Sequence, residues 1–225
     1  MPNLNNRLLK IASLINQGER VADIGTDHAV LPIHLVRSGL SEKVIAADIA
    51  KKPLQKAAEN VDAAGLSDYI ELRLGNGLDC IDPREVDTIV IAGMGGELIA
   101  DILAKAEWLR QENYRLILQP MSRSERLRDY LKENRFTPII EAAGTDAGRF
   151  FCIIVAETRR FDDQYPPFYS YVGLLAESED PEAAEYLNYS ADLLRRRADM
   201  IPESDRSSGL YIELTEAADF IEKNH

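Results

Sequence analysis

Short apolar runs alternate with segments of helical periodicity through the first two thirds of the chain. The apolar runs are near-continuous, as is typical of strands covered on both faces, and occupy residues 19–24, 43–49, 69–74, 86–93 and 114–120. Helical patterns precede and separate them over residues 4–17, 29–38, 52–64, 96–110 and 123–134. Two more apolar runs, 137–144 and 149–157, follow without a helix between them and predict an antiparallel strand pair. The expected fold is therefore α/β, a Rossmann-like, doubly wound, mostly parallel sheet with C-terminal antiparallel hairpin strands.

A proline pair, Pro166–Pro167, interrupts this pattern, because neither a strand nor a helix interior continues through it. Beyond it, apolar residues recur at spacings of three and four, as in two helices that pack along narrow seams. The first seam comprises Ala184, Leu187, Ala191, Leu194, Ala198 and Ile201, and the second Leu210, Leu214, Ala217 and Ile221. We predict a sheet domain over residues 1–160. A small helical, coiled-coil hairpin over residues 161–225 is expected to lean on it.

The sequence VADIGTDHAVLPIHL, residues 21–35, places ionisable groups at the turn between the first predicted strand and its helix. Ligands of doubly wound sheets bind beyond the carboxyl ends of the strands, beginning at this turn. Gly25 allows a tight turn, while Asp23 and Asp27 would repel a pyrophosphate. The same carboxylates suit a cation such as S-adenosylmethionine, with its sulfonium and amino group. The alternative is structural: Asp27 caps the following helix and Asp23 ends a strand.

Three further strand ends carry small or acidic residues. Asp48 ends the second predicted strand, where a carboxylate accepts hydrogen bonds from ribose hydroxyls. Asn76 follows the third strand and can hydrogen-bond an adenine edge, and the glycines of AGMGG after the fourth leave room for a methyl donor. One such end is commonly only a turn, but four together favour an S-adenosylmethionine site. The predicted cofactor-binding residues are Asp23, Gly25, Thr26, Asp48, Ile49, Asn76, Gly77, Ala92, Gly93 and Met94.

The segments DIGTDHAVLP, IAGMGGELI and RLILQP together resemble the bacterial tRNA (adenine(22)-N1)-methyltransferases, a family of class I S-adenosylmethionine-dependent enzymes. The resemblance implies a Rossmann-like methyltransferase domain followed by a coiled-coil helical hairpin. It also implies methylation of N1 of adenine 22 in tRNA. The resemblance covers essentially the whole chain, with its specific motifs within residues 1–158. Two positions depart from the family's pattern: Met121 stands where members often have asparagine, and Asp48 where glutamate is common.

The chemistry of such a reaction points to two residues of the first turn. Adenine N1 is largely unprotonated at neutral pH, so the enzyme's main task is alignment rather than proton removal. A carboxylate near the exocyclic amine would steady the cation that forms. We therefore predict Asp27 and His28 as the catalytic pair, with His28 as an orienting group. For His28 an equally open alternative is a helix-start residue bonded to backbone.

The formal net charge of −12 at pH 7 is unevenly distributed. Residues 160–225 carry −9 and residues 1–159 only −3, so a local basic face on the first part is compatible with the total. In folded tRNA the target nucleotide must be exposed or flipped, and affinity must come from basic side chains on phosphates. The predicted RNA-binding residues are Arg7, Lys10, Arg123, Arg126, Arg128, Arg195 and Arg196. The alternative is that these helices are solvated surfaces of mixed charge.

The composition, 45% hydrophobic and 28% charged, is ordinary for a globular protein. No apolar stretch reaches the length of a membrane span, and the N-terminus lacks the pattern of a signal peptide. Cys80 and Cys152 stand alone, without metal-ligand spacing. We expect a cytoplasmic, metal-free enzyme that acts on tRNA, with the oligomeric state open and a monomer favoured. The alternatives are a methyltransferase for another RNA site or a small molecule, and a non-enzymatic protein-binding module.

Overall fold

The computed structural model describes residues 4–158 and 164–225 and contains a seven-stranded sheet. Its strands are β1 (Val21–Ile24), β2 (Val44–Asp48), β3 (Ile70–Leu74), β4 (Thr88–Gly95), β5 (Arg115–Ser122), β6 (Thr137–Asp146) and β7 (Arg149–Glu157). They lie in the order β3-β2-β1-β4-β5-β7-β6. Strands β1 to β5 pair in parallel, while β7 pairs antiparallel with both β5 and β6. The predicted doubly wound sheet with a terminal antiparallel pair is confirmed.

Helices cover both faces of this sheet. Those of the described ranges are α1 (Asn6–Ser13), α2 (Val30–Arg37), α3 (Lys51–Ala63), α4 (Gly96–Lys105), α5 (Ser124–Glu133), α6 (Tyr169–Val172), α7 (Pro181–Asp199) and α8 (Gly209–Asn224). Alternate strand residues face opposite layers. Ala22 and Ile24 of β1 join the core beneath α4 and α5, whereas Val21 joins the core beneath α1 and α2. Burial on both faces explains why the strands appear as near-continuous apolar runs.

Two helices are shorter than their apolar periodicity predicts. The first begins after Asn5, whose side chain caps it, and ends at Ser13, well before the expected position. The helix predicted over 96–110 ends at Lys105, and a 3₁₀ turn, Glu107–Arg110, follows it. Leu109 in that turn is nevertheless fully buried. Apolar spacing therefore marked residues that enter the core, but tertiary packing decided where the helical backbone stops.

Helices α7 and α8 pack against each other and against the antiparallel end of the sheet. Their shared core includes Ala143 of β6 and Cys152 of β7, so the C-terminal segment leans on the sheet as expected. Most of the predicted seam residues are buried, but Leu210 is 51% exposed, and the prediction is wrong there. Tyr211 packs on this core in its place. On α7, similarly, Ala183 is more deeply buried than the predicted Ala184.

A fully buried ion pair holds this junction. Arg128 of α5 and Glu141 of β6 lie with Nη2 and Oε2 2.7 Å apart, and both side chains are shielded from solvent. Nη1 of the same guanidinium donates to the backbone carbonyls of Ser170 and Tyr171 at 3.2 and 3.1 Å. One arginine thus connects α5, the sheet and the short helix α6. Pairing on all sides compensates for the burial of its charge.

Two findings bound the chemistry of the described ranges. No helix there is at once long and apolar enough to cross a membrane. Within the same residues, no group of three histidine, cysteine or acidic side chains is arranged to hold a metal ion. Cys80 and Cys152 are free thiols, and the hydroxyl of Tyr186 donates to Cys152 Sγ at 3.3 Å.

Candidate active site

The carboxyl ends of the parallel strands and the loops that follow them meet at one edge of the sheet. Ile24 at the end of β1 is in register with Ala47 of β2 and Ile91 of β4. The backbone N–H groups of Gly25 and Thr26 both donate to the carbonyl of Ala47, at 2.8 and 3.0 Å. A similar bond ties the loop after β3 to the end of β2. The strand ends singled out in the sequence are therefore contiguous.

The turn after β1 is strained where the histidine stands. His28 and Ala29 both adopt left-handed backbone conformations, with φ of 59° and 55°. Such conformations are uncommon for residues other than glycine and cluster at functional sites. Helix α2 begins at Val30, and its N-cap, Ala29, makes no side-chain hydrogen bond. Asp27 therefore does not cap the helix, and the structural alternative for this residue is not realised.

Asp27 and His28 contact each other at the surface of the turn. His28 Nε2 lies 3.0 Å from Asp27 Oδ1, so the imidazole pairs with a carboxylate through this nitrogen. The other ring nitrogen, Nδ1, is buried and has no hydrogen-bond partner within the described ranges, whereas the hydroxyl of Thr26 lies close enough to Asp23 to act on its carboxylate. Buried polar atoms are nearly always satisfied. An unsatisfied ring nitrogen at this edge of the sheet indicates where a polar atom of a ligand belongs.

Asp23 is the buried carboxylate of the site, with 7% of its surface exposed. Burial raises the pKa of Asp23 to about 6; the hydrogen bond of Thr26 and the charge of Arg7 oppose the shift, whereas Asp48 and Asp27 add to it. Asp23 is thus close enough to the other two carboxylates to be repelled by them. Such an arrangement favours binding of a cation and disfavours a pyrophosphate.

The ends of β2 and β3 provide polar and apolar surface side by side. The Oδ1 atom of Asp48 accepts a hydrogen bond from the backbone N–H of Ala50 at 2.7 Å, which orients the carboxylate. Ile49 is 69% exposed beside it, and Asn76 is exposed after β3. Gly77 has a left-handed φ of 60°, and a Cβ there would lie 2.9 Å from Ile102. The backbone at this turn therefore requires glycine.

The end of β4 touches the first turn directly. Gly25 has a φ of 76°, and a Cβ at this position would lie 2.2 Å from Met94 Cε. The methionine therefore packs on the backbone of the glycine, next to half-buried Ala92 and exposed Gly93. With this contact, the predicted cofactor-binding residues all lie at one edge of the sheet, either near the carboxyl ends of β1, β2 and β4 or in the loops that follow the strands.

Gln119 of β5 is a site residue that sequence reasoning missed, although a polar side chain inside an apolar strand was an available signal. It is fully buried, and its Oε1 accepts hydrogen bonds from Arg7 Nη1 at 2.8 Å and from the Gly93 backbone N at 3.1 Å. Its Nε2 donates to the carbonyl of Pro120 at 2.9 Å. Arg7, predicted as an RNA contact, thus lies in the site, where its charge acts on Asp23. A contact of Arg7 with RNA stays a prediction.

The other basic residues predicted to contact RNA differ in their surroundings. Arg123, Arg126 and Arg196 are exposed. Lys10 forms ion pairs with Asp180 and Glu182 at the start of α7, and Arg195 pairs with Asp219 and Glu222 of α8. The charges of Lys10 and Arg195 are therefore partly neutralised within the protein. Arg126 and Arg196 present theirs to solvent, and Arg123, although exposed, lies 3.7 Å from the carboxylate of Glu125.

Arg128 is the clear error in that set. It is fully buried in the ion pair with Glu141 and presents no surface to an RNA. Its place follows from helix geometry, because Arg128 lies between Leu127 and Leu131 on the buried stripe of α5, whereas Arg126, two positions away from it, points to the opposite side. Residues two positions apart on a helix point to roughly opposite sides, so Arg126 and Arg128 cannot both face an RNA.

The fold and the site define a class of protein. A doubly wound sheet with an acidic, glycine-containing turn after its first strand and an acidic end to its second is the architecture of class I methyltransferases. Residues 4–154 match the methyltransferase-domain family. The same carboxylate-lined edge suits the cationic methyl donor that this class uses. The chain is therefore an S-adenosylmethionine-dependent methyltransferase.

Comparison with whole proteins narrows the class. The chain is 34% identical over 216 residues to the tRNA (adenine(22)-N(1))-methyltransferase of Bacillus subtilis, covering 96% of this chain and 87% of that protein. A Streptococcus pneumoniae protein solved in complex with S-adenosyl-L-methionine superimposes with a TM-score of 0.84 at 32% identity, over 97% of this chain and 99% of that one. M. capricolum TrmK in complex with S-adenosyl-homocysteine superimposes with a TM-score of 0.81 at 26% identity, over 98% of this chain and 96% of that one. The chain belongs to the tRNA (adenine(22)-N1)-methyltransferase family.

Proposed function

We propose that this protein transfers a methyl group from S-adenosylmethionine to N1 of adenine 22 in tRNA. The observation that carries the proposal is the convergence of Asp23, Asp27 and Asp48 at one sheet edge, beside glycine turns and a buried His28 nitrogen that no described residue hydrogen-bonds. That edge belongs to a chain similar over nearly its whole length to an enzyme named for this reaction. The two observations are independent, since one is geometric and the other is a comparison.

The residues at this edge fit S-adenosylmethionine. Asp48, held by the Ala50 backbone, is placed to accept hydrogen bonds from ribose hydroxyls, and exposed Ile49 offers an apolar surface to the adenine. Asn76 and Gly77 would meet the adenine edge. We assign the buried Thr26 hydroxyl, beside the Asp23 carboxylate, to the amino-acid moiety. The remaining cofactor contacts we assign to Asp23, Gly25, Ala92, Gly93 and Met94.

When bound, the cofactor supplies a methyl group on a positively charged sulfur, which the lone pair of adenine N1 accepts. The protein's own contribution is alignment and charge. We assign Asp27 to the exocyclic amine of the target adenine, where a carboxylate stabilises the positive charge that develops on the ring. His28, 3.0 Å from Asp27, is the orienting group for that carboxylate. Met121, which is 54% exposed near the end of β5, is at the same edge, but nothing in the structure assigns it a role in this step.

The RNA is expected to dock through exposed basic residues. Arg123 and Arg126 lie at and just after the start of α5, and Arg196 lies near the end of α7. Arginines on phosphates supply affinity without sequence readout. Arg195 and Lys10 would add to this surface only by giving up their intramolecular carboxylate partners.

The experiment is direct. The protein is incubated with S-adenosylmethionine and an unmodified tRNA transcript, and the digested nucleosides are analysed by mass spectrometry. We expect 1-methyladenosine at position 22, and none in a matched transcript in which that adenine is replaced by guanine. If the methyl group is found at another RNA position, the substrate is a different RNA site. If the protein methylates compounds of a metabolite extract but not the tRNA, the substrate is a small molecule.

We also propose that the protein acts as a monomer in the cytoplasm, where its substrate is found. The support for a monomer is that the seam residues Leu194, Leu214 and Ala217 are already buried within one chain. Light scattering across a range of concentrations is expected to give the mass of a single chain. A constant dimer mass would contradict this part of the proposal.

A further inference from the structure

A cavity of about 500 Å³ lies where the sheet domain meets α7, outside the cofactor edge. Its walls come mainly from the end of β5 and the start of α5, from the start of β7 and from α7. We propose that this cavity is a second RNA subsite, which takes an unstacked base next to the nucleotide that is methylated. The inference rests on the proposed function, since it names a further contact with the same substrate.

The walls of the cavity have the surfaces that a base requires. The rings of Phe150 and Tyr189 are stacked, with centroids 4.8 Å apart and planes inclined by 26°. Tyr189 is 39% exposed, so part of this aromatic pair is accessible to a ligand. Bases of every type stack on aromatic rings, and single-stranded RNA is commonly held in this way.

Exposed apolar side chains surround the aromatic pair. Met121 is 54%, Leu193 38% and Met200 76% exposed, and all three line the same cavity as Tyr189. Large apolar residues that are exposed singly have no special meaning, but several around one concavity mark a binding surface. The flexible thioethers of two methionines adapt to a flat ligand without a fixed orientation.

The charges at the cavity favour a phosphate-bearing ligand. Arg197 Nη1 lies 3.2 Å and Arg123 Nη1 3.7 Å from the same carboxylate oxygen of Glu125. One carboxylate shared by two guanidiniums leaves one positive charge in excess. The Arg123 and Arg197 side chains are 54% and 35% exposed, which leaves donors available to a phosphate. A nucleotide has a negatively charged phosphate for the arginines and a base that stacks on the aromatic rings. An apolar peptide would make only the apolar contacts.

The cavity adjoins the reaction edge through β5. Ser122 in the cavity wall pairs in register with Gly95 at the end of β4, immediately after Met94. Gln119 contacts both sites. Its Oε1 accepts a hydrogen bond from the backbone N–H of Gly93 at the cofactor edge, and its Nε2 lies 3.6 Å from Sδ of Met121 in the cavity wall. An RNA strand with its target adenine at the cofactor edge would therefore present an adjoining nucleotide to this cavity.

The test uses Tyr189→Ala, Tyr189→Phe and a matched control, Tyr69→Ala. Tyr69 is 49% exposed just before β3, at the opposite end of the strands. Losing one base–aromatic stack is expected to raise KM for tRNA about tenfold in Tyr189→Ala, with kcat and the Kd for S-adenosylmethionine unchanged. Tyr189→Phe, which keeps the ring, should restore KM, and Tyr69→Ala should match the wild type. Equal KM for Tyr189→Ala and the wild type overturns the proposal.

A second measurement is independent of catalysis. A tRNA transcript substituted with 4-thiouridine is bound to the full-length wild-type protein, cross-linked with long-wave ultraviolet light and mapped by mass spectrometry. Cross-links to peptides that contain Tyr189 or Met121 support the subsite. Cross-links confined to the outer side of α5, around Arg126, refute it. If the wild type forms no 1-methyladenosine but the cavity cross-links appear, the proposed reaction fails while the subsite stands.

Discussion

The cofactor edge and the junction between sheet and C-terminal helices treat buried polar groups in opposite ways. At the junction, the buried guanidinium of Arg128 meets a carboxylate and two backbone carbonyls, so that each of its charged faces is matched. At the cofactor edge, Asp23 is buried near other carboxylates, and a buried ring nitrogen of His28 has no partner among the described residues. The first region is complete within the protein, whereas in the proposed function the second is completed by the cofactor. A mutation should therefore affect folding at the one and binding at the other.

The largest effect is expected from breaking the junction. Arg128→Ala leaves Glu141 buried without its partner, which should lower the free energy of unfolding by about 3–5 kcal/mol. Urea denaturation measures the loss, and Arg126→Ala on the exposed side of the same helix is the matched control. The double variant Arg128→Met with Glu141→Leu removes both charges and should recover much of the loss. A single variant as stable as the wild type would show that the pair is not a stabilising element.

The next effect tests the cofactor edge. Asp48→Ala removes a carboxylate proposed to bind the ribose, and hydrogen bonds to charged groups of this kind contribute about 1.5–3 kcal/mol. We expect the Kd for S-adenosylmethionine, measured by calorimetry, to rise about 10- to 100-fold with little change in the free energy of unfolding. Asp62→Ala, an exposed acid on α3, is the control. An unchanged Kd in Asp48→Ala would refute the ribose assignment.

The pKa of Asp23 makes cofactor binding dependent on pH. Because the pKa is raised to about 6, the carboxylate is protonated below that pH and loses its attraction for a cation. The Kd for S-adenosylmethionine should therefore rise by up to about tenfold per pH unit below pH 6 and level off above it. The stability of the fold depends on pH in the opposite direction. Between about pH 4 and 6 Asp23 is protonated in the folded state but ionised in the unfolded state, so the free energy of unfolding falls as pH rises through that window. In Asp23→Asn both dependences should flatten.

The smallest effect concerns the exposed basic face. Arg126→Glu should weaken tRNA binding by about three- to fivefold at low salt, with the difference shrinking as salt rises, because the lost contact is a phosphate contact. Filter binding over a salt series measures both quantities, and S-adenosylmethionine affinity should hold. Identical tRNA affinity at low salt would remove α5 from the RNA surface.

The layout of the cofactor edge was predictable because it depends on local order along the chain. Parallel strands bring their carboxyl ends to one edge, so the residues that follow each strand, such as Asp48 and Gly93, are neighbours once the strands are assigned. What sequence reasoning missed or misassigned has a different origin. Arg7 and Gln119 meet across 112 positions of sequence, and no local pattern indicates such a contact. Arg128 was misassigned because composition marks a basic segment but does not say which side of the helix is buried.

The sequence by itself determined the alternation of strands and helices, the strand ends that form the site and the family to which the chain belongs. These features depend on periodicity and on short motifs, and both are formed by residues that are close together in the sequence. The tertiary structure alone decided the contents of the junction, the place of Arg7 beside Asp23 and the cavity beneath Tyr189. Each of these brings together side chains from distant segments, and whether a charge is solvated or buried depends on what packs over it.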